Sequence, residues 1–226
     1  MSEPLLRASV PDLVFARLCQ DILGGNYRPG ERLPTQRALA ADLQVNLASI
    51  REAVKRLEQL RLVEVRHGDA MRVLDWRQSG GLEALALVDK LDVETAGALF
   101  EARRLLLSAA ARLAAQRRTD DQATTLGELA DAVAAAGDNQ AALVTDWEFM
   151  AALVDAAGNL IFQLIMNSVR ELYLPRLELF APLIVGGEAW LPLYAQTAAA
   201  IREQDGDAAA DAITELAAAQ ERALLG

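Results

Sequence analysis

Apolar positions in the first third of the chain recur with a helical period before they change to a strand period. They are spaced as in a helix over 10–23, and Ser9 is a suitable N-cap for it. A short second helix opens at Pro34, and Asn46 can cap a third helix over 47–60. We expect the core to receive Val10, Leu13, Val14, Leu18, Ile22, Leu39, Ala40, Leu43, Ile50, Val54, Leu57 and Leu60, with Ala53 at the edge.

A strand pattern follows the third helix. Residues 62–66 alternate apolar and polar side chains, 67–69 form a turn signal, and 71–73 provide a return strand. Three helices followed by a two-stranded hairpin are the element order of a winged helix-turn-helix domain. The sequence therefore predicts such a domain over 1–74.

The rest of the chain has helical periodicity throughout. A polar, glycine-containing connector over 75–81 marks the predicted domain boundary, and 82–226 form the second domain. Predicted helices span 82–91, 93–118, 120–136, 145–157, 160–172, 192–203 and 207–224. The fold class is therefore mainly α, with an N-terminal winged helix-turn-helix and a C-terminal all-helical bundle of about six or seven helices.

Composition narrows the possible chemistry. The chain holds one cysteine, Cys19, and one histidine, His67, which excludes an internal disulfide and any mechanism that needs two histidines. No phosphate-binding loop or nucleophile elbow is present, so no catalytic residue is assigned and we predict that the protein is not an enzyme. No secretory signal or membrane span is visible, which makes the cytoplasm the expected compartment.

Charge is distributed unevenly along the chain. The net charge of −10 argues against a nucleic-acid partner, yet residues 1–78 carry 12 Lys+Arg and 10 Asp+Glu, and the rest carries 10 and 22. A slightly basic head on an acidic body can still bind DNA through a local patch. In a helix-turn-helix domain, the start of the third helix enters the major groove. The corresponding residues are Asn46, Leu47, Ala48, Ser49 and Arg51, with Arg37 near the backbone.

Each of these candidates also has a simpler interpretation. The arginines are equally compatible with ordinary solvated charges, and His67-Gly68 with a turn that has no function. In the second domain, Asp146 and Asp155 lie at helical spacing, but a solvated acidic face explains them better than a catalytic pair. Arg103 needs a protein or ligand anion if it faces the interior.

Three stretches resemble the GntR superfamily of bacterial winged-helix transcription regulators. They are Tyr27-Arg-Pro-Gly-Glu-Arg-Leu-Pro-Thr-Gln-Arg-Ala-Leu-Ala, Ser49-Ile-Arg-Glu-Ala-Val-Lys-Arg-Leu-Glu and Val63-Glu-Val-Arg-His-Gly. The second domain resembles the FadR branch in Trp76-Arg-Gln-Ser-Gly-Gly-Leu, Ala157-Gly-Asn-Leu-Ile and Glu171-Leu-Tyr. The resemblance implies a homodimer, with 82–226 as the effector-binding and dimerisation domain, bound to a palindromic double-stranded DNA operator.

The resemblance also implies particular contacts with DNA. The implied residues are Arg37, Asn46, Leu47, Ala48, Ser49, Arg51, His67 and Gly68. The family usually has arginine and a hydroxyl residue where this chain has Leu47 and Ala48. Since a base-reading arginine contributes about 1–3 kcal/mol of discrimination, we expect a different operator sequence.

The same resemblance bears on the effector. Many FadR-branch relatives bind a metal through one Asp and three His, but the matching positions here are Met150, Tyr194 and the region of Leu216, so no metal is expected. Arg103, Tyr173 and Phe180 match effector contacts in the branch. These matches suggest a repressor of fatty-acid metabolism genes that long-chain acyl-CoA releases from DNA, with no cofactor. The alternatives are a small carboxylate effector, or no effector.

Overall fold

The computed structural model describes residues 9–66, 70–88, 93–184 and 189–225. The chain divides into two compact units, Met1–Lys90 and Leu91–Gly226. Both are dominated by helices, and a small sheet occurs in the first, which confirms the predicted fold class.

The first unit contains short and medium helices around a three-stranded antiparallel sheet. Its elements are α1 (Val10–Leu23), β1 (Arg32–Leu33), α2 (Gln36–Asp42), α3 (Leu47–Gln59), β2 (Val63–Arg66), β3 (Ala70–Val73), α4 (Trp76–Ser79) and α5 (Leu82–Leu85). The sheet order is β1-β3-β2. The sequence analysis missed β1, because two residues are too few for a strand pattern; Leu33 pairs with Met71 and faces the core.

The core of the first unit lies between α1, α3 and the inner face of the sheet. Ile50, Leu57 and Met71 are all 0% exposed there. The prediction for the start of α1 was wrong, because Val10 and Leu13 are 45% and 59% exposed. Phe15 and Cys19, one turn apart, are buried instead, so the apolar stripe of α1 is rotated from the predicted one.

The predicted helix over 82–91 is shorter in the structure. Helix α5 ends at Leu85, and residues 89–92 lie outside the described residues. Ala84 is 0% exposed and belongs to the core of the first unit. The division into 1–74, 75–81 and 82–226 stays a prediction.

The second unit is a helical bundle. Its elements are α6 (Val93–Arg117), α7 (Asp120–Ala135), α8 (Asn139–Ala156), α9 (Leu160–Tyr173), a 3₁₀ segment (Leu174–Leu183), α10 (Leu191–Arg202) and α11 (Gly206–Leu225). Helix α8 begins earlier than predicted because Asp138 caps it, accepting a hydrogen bond from the Ala141 amide at 2.8 Å.

Helices α6, α7, α8, α10 and α11 contribute to the main core of this unit. Phe149 and Tyr194 lie at its centre, 5.2 Å apart between ring centroids and edge to face. Within the described ranges, no helix is long and apolar enough to cross a membrane.

Candidate DNA-binding surface and polar cluster

The first turn of α3 places most of the predicted DNA contacts on one surface. Ala48 and Arg51 are exposed, and Leu47 is half-buried. Asn46 is the N-cap, and its side-chain Oδ1 accepts a hydrogen bond from the Ser49 amide at 2.8 Å. The Ser49 side chain does not project as expected. It is only 5% exposed, because it lies on the same side of α3 as Ala53 and the core.

Arg37 lies in the first turn of α2, which packs against α3, and is exposed. The predicted contacts His67 and Gly68 lie outside the described residues. Arg56, one of the charges near this surface, has partners within the unit. Its guanidinium lies over the Phe15 ring at 3.9 Å and binds Asp12 at 2.7 Å, so it stabilises the packing of α1 on α3.

Asn46 allows the cap and the predicted DNA contact to be tested separately. Asn46→Ala is expected to lower the free energy of unfolding by about 1 kcal/mol, because the Ser49 amide loses its acceptor. Asn46→Ser keeps a capping oxygen and should stay within about 0.5 kcal/mol of wild type. Urea denaturation checks both values. If Asn46 contacts DNA, the Asn46→Ser variant should bind DNA more weakly than wild type although its stability is unchanged. An affinity equal to that of wild type would contradict the contact.

A buried hydrogen-bonded network links α6, α8, α10 and α11 inside the second unit. The residues Arg103, Asp146, Tyr194 and Gln220 form it, and we call them the polar cluster. The Tyr194 hydroxyl donates to Asp146 Oδ1 at 2.5 Å, and Gln220 Nε2 donates to the same oxygen at 3.1 Å and to the Tyr194 oxygen at 2.9 Å. Arg103 Nη2 donates to Gln220 Oε1 at 2.7 Å.

Asp146 lies at the centre of this cluster and is only 2% exposed. The interpretation of Asp146 as part of a solvated acidic face was therefore wrong, although Asp155 is exposed and binds Gln122 and Gln163. A signal was present in the sequence. Asp146 is spaced at helical intervals from Leu143, Phe149 and Leu153, so it falls within the apolar stripe of α8.

Burial and the nearby carboxylate determine how the tyrosines of this region ionise. Burial is the largest cause that raises the pKa of Tyr194 well above its ordinary value, and the negative charge of Asp146 adds to it. The same two causes raise the pKa of Tyr173, while the Arg103 cation acts in the opposite direction. Both hydroxyls therefore keep their protons at neutral pH and serve as hydrogen-bond donors.

Arg103 is the one member of the polar cluster with an unused buried donor. Its Nη1 atom is buried and has no hydrogen-bond partner among the described residues. A buried guanidinium nitrogen without an acceptor is costly, since the group loses hydration and gains nothing in return. The free donor marks a position where an anionic group would be favourable.

Tyr173 and Phe180, the other two predicted effector residues, lie in a separate aromatic cluster. The Tyr173 ring stacks on Trp147 at 5.4 Å and contacts Phe180 at 4.7 Å between centroids. Phe100 and Leu143 belong to the same cluster, and Arg103 lies 5.9 Å from the Phe100 ring. Arg103 is therefore the member of the polar cluster that approaches the aromatic cluster.

A cleft of about 450 Å³ opens between α10 and α11. Its lining residues are Ala189, Trp190, Leu193, Glu215, Ala219, Arg222 and Ala223. The cleft shares helices α10 and α11 with the polar cluster, although none of the four polar-cluster residues lines it. It has the size of a pocket for a small organic ligand.

At the positions where relatives of the resembled branch bind a metal, this chain has residues with little affinity for metal ions. Met150 and Leu216 are buried core residues, and the Tyr194 hydroxyl is occupied by Asp146. In the part of the chain that the structure describes, no three His, Cys, Asp or Glu side chains come together. Asp146 is thus surrounded by neutral hydrogen-bond donors.

Two protein-family models match parts of this chain. Residues 12–73 match the model of the bacterial regulatory proteins of the gntR family, and residues 98–219 match the FCD domain. The HTH-type transcriptional regulator Mce2R of Mycobacterium tuberculosis (strain CDC 1551 / Oshkosh) is 34% identical over 215 residues, which cover 93% of this chain and 85% of Mce2R. The chain belongs to the GntR family.

Other known proteins are also similar to this chain. LutR of Bacillus subtilis (strain 168), an HTH-type transcriptional regulator, is 33% identical over 160 residues, which are 68% of this chain and 70% of LutR. A solved structure of Streptococcus agalactiae GntR is 29% identical, with a TM-score of 0.50 and coverage of 94% and 99%. Lar of Listeria monocytogenes has a TM-score of 0.64 at 15% identity, with 96% of each chain covered, and supports the fold alone.

Membership of the GntR family defines the general function. The protein is a DNA-binding transcription regulator with an N-terminal helix-turn-helix domain and a C-terminal FCD domain, the effector-binding module. Its matched domains and relatives are those of regulators, which confirms the prediction that it is not an enzyme.

Proposed function

We propose that this GntR-family regulator binds a small carboxylate effector at the polar cluster, and that the effector changes its affinity for DNA. The observation that carries the proposal is Arg103, whose Nη1 is buried without an acceptor. A carboxylate accepts hydrogen bonds from a guanidinium with good geometry, and such bonds are stronger than neutral ones. The effector would therefore supply the acceptor that Nη1 lacks.

The rest of the polar cluster holds Arg103 in position for this role. Gln220 Oε1 accepts from Nη2 at 2.7 Å, while its amide nitrogen is held by Asp146 and Tyr194. Because these bonds fix the orientation of the Gln220 amide, the guanidinium keeps one edge bound and one edge free. Such preorganisation lowers the entropy cost of binding a ligand.

The size of the neighbouring cleft favours a compact ligand. At about 450 Å³ it falls in the lower part of the range of pockets that hold drug-sized molecules. A long-chain acyl-CoA, with its nucleotide and its chain, needs considerably more room. One cation and one anion, Arg222 and Glu215, line the cleft, so its size rather than its charge favours this ligand.

Long-chain acyl-CoA, the effector of the resembled FadR branch, is the second candidate. The aromatic cluster favours it, because Tyr173, Phe180 and Phe100 provide an apolar surface next to the Arg103 cation. This alternative predicts that the helices of the second unit separate to admit the chain. Thermal unfolding in the presence of each candidate ligand distinguishes the two effectors.

We further propose that the regulator acts in the cytoplasm as a homodimeric repressor on a palindromic operator. The proposed DNA contacts are Arg37, Asn46, Leu47, Ala48, Arg51, His67 and Gly68. Ser49 is buried and its amide donates to Asn46 Oδ1, so neither its side chain nor its amide is available to DNA. An effector changes DNA affinity only if it binds one arrangement of the dimer better than another, so the effector and the operator must affect each other's affinity reciprocally.

Thermal unfolding in the presence of small mono- and dicarboxylates and of acyl-CoAs of several lengths tests the proposal. We expect a carboxylate to raise the melting temperature of wild type in a concentration-dependent way, because a ligand that binds only the folded state stabilises it. Arg103→Gln should abolish this rise. Arg112→Gln is the matched control, since Arg112 is on the same helix but is exposed and paired with Asp207.

Two outcomes would count against this assignment. A rise with acyl-CoA that grows with chain length, and none with any carboxylate, would favour the second candidate. If a carboxylate raised the melting temperature of wild type and Arg103→Gln equally, the effector would bind at a site that does not include Arg103.

A further inference from the structure

The outer face of the small sheet in the first unit carries an unusual concentration of arginine. Strand partners in an antiparallel sheet point to the same face, and so do residues two apart along one strand. Arg32 pairs with Arg72, Arg72 with Glu64, and Arg66 is two residues from Glu64. These four residues, Arg32, Glu64, Arg66 and Arg72, share the face opposite to the core, and we call them the arginine face.

The burial pattern agrees with this arrangement. Leu33, Val63, Met71 and Val73 on the inner face are at most 6% exposed. On the other face, Arg32 and Arg66 are exposed and Glu64 and Arg72 are half-buried. Three cations and one anion therefore stand together on a sheet that solvent reaches, in a chain whose net charge is −10.

The charges of the arginine face are not balanced within the unit. Arg66 Nε binds Glu64 Oε2 at 2.8 Å, which engages the only carboxylate among the four residues. Arg32 and Arg72, direct partners across the β1–β3 ladder, have no side-chain hydrogen bond or ion pair to any described residue. Like charges directly opposite each other destabilise a sheet. The pair therefore contributes unfavourably to the isolated fold and would favour an external anion.

We propose that the arginine face binds the phosphate backbone of duplex DNA, in addition to the surface of α3. The unit that carries it is the helix-turn-helix domain of a DNA-binding regulator. Strand β1 also leads directly into α2, whose first turn holds the exposed Arg37. Arginines on three neighbouring strands can contact successive phosphates of a polyanion, and contacts of this kind fix the protein on DNA without reading sequence. The arginine face would thus add a second positive surface to that of α3.

The salt dependence of DNA binding tests the proposal. Full-length wild type and Arg32→Gln/Arg72→Gln are titrated onto a fluorescent mixed-sequence duplex of about 40 base pairs, at salt concentrations from about 50 to 300 mM. Each lost phosphate contact should make the slope of log K against log salt less negative by about 0.9. We therefore expect the slope of the double variant to change by about 1.8, and its affinity at 100 mM salt to fall by more than tenfold.

Two further variants show whether charge is responsible. Arg32→Lys/Arg72→Lys keeps both cations and should retain the wild-type slope. Arg17→Gln, on α1 and paired with Asp21, is the control for a general change of charge and should also leave the slope unchanged. Since relief of like-charge repulsion favours the sheet, Arg32→Gln/Arg72→Gln should melt no lower than wild type.

Different results identify which idea fails. If wild type binds DNA and Arg32→Gln/Arg72→Gln has the same slope of log K against log salt, the role of the arginine face is overturned. The family function would then remain intact. A lysine variant with the same loss as the glutamine variant would also overturn it, because charge would then not be the cause. Absence of DNA binding by wild type would challenge the regulator function instead.

Discussion

Asp146→Ala is expected to lower the free energy of unfolding by about 3 kcal/mol. Asp146 is 2% exposed, and its Oδ1 accepts hydrogen bonds from both Tyr194 and Gln220. Its removal leaves the Tyr194 hydroxyl without an acceptor in the core, and each such buried group costs about 1–3 kcal/mol. The anion that offsets the Arg103 cation in the same network is lost as well. Chemical denaturation followed by circular dichroism measures the change.

Two related variants separate the causes of this effect. Asp146→Asn keeps the accepting Oδ1 while it removes the charge and replaces Oδ2 with an NH2 donor, so it should destabilise less than Asp146→Ala. Asp155→Ala is the control, because Asp155 is on the same helix but is exposed, and loss of its solvent-exposed bonds with Gln122 and Gln163 should cost no more than about 1 kcal/mol. Equal effects of Asp146→Ala and Asp155→Ala would contradict a structural role for the polar cluster.

Leu57→Ala is expected to lower the free energy of unfolding by about 2–5 kcal/mol and to weaken DNA binding. Leu57 is 0% exposed and lies in the core of the first unit, on the helix that carries Asn46 and Arg51. Deletion of its branched side chain removes buried apolar area and leaves a cavity among Ile50, Met71 and their neighbours. The packing that positions α3 would therefore loosen.

Denaturation and DNA titration of the same samples check both parts of this prediction. Glu58→Ala is the matched control, since Glu58 is the next residue along α3 and is exposed. It should change stability by no more than about 0.5 kcal/mol. A Leu57→Ala protein as stable as Glu58→Ala would show that this part of the core is not tightly packed.

Local signals made the helices of this chain predictable. The bounds of α1 agree with those predicted from Ser9 and Gly24, and α3 begins directly after Asn46 as expected. These residues act on their own neighbours in the chain, so no tertiary information is needed to recognise them. Strand β1 was missed for the opposite reason, because its two residues become a strand only by pairing with β3.

The candidate sites were predictable only in part. Arg103 was recognised as a cation that would need a partner inside the bundle, and the structure gives it Gln220, 117 residues away. Asp146 was assigned to solvent because composition and charge treat every carboxylate alike. Its burial depends on donors from two other helices, and these donors are apparent only when the helices are packed.

The sequence by itself determined the order of the first three helices and the two hairpin strands, the helical second domain and the resemblance to the GntR superfamily. Those features depend on short-range periodicity, capping residues and contiguous motifs, and such information is encoded within a few helical turns. Only the tertiary structure decided that Ser49 is buried, that Asp146 is central and that Arg32 lies opposite Arg72. These facts depend on which faces of distant segments meet, because packing and strand register bring together residues far apart in the chain.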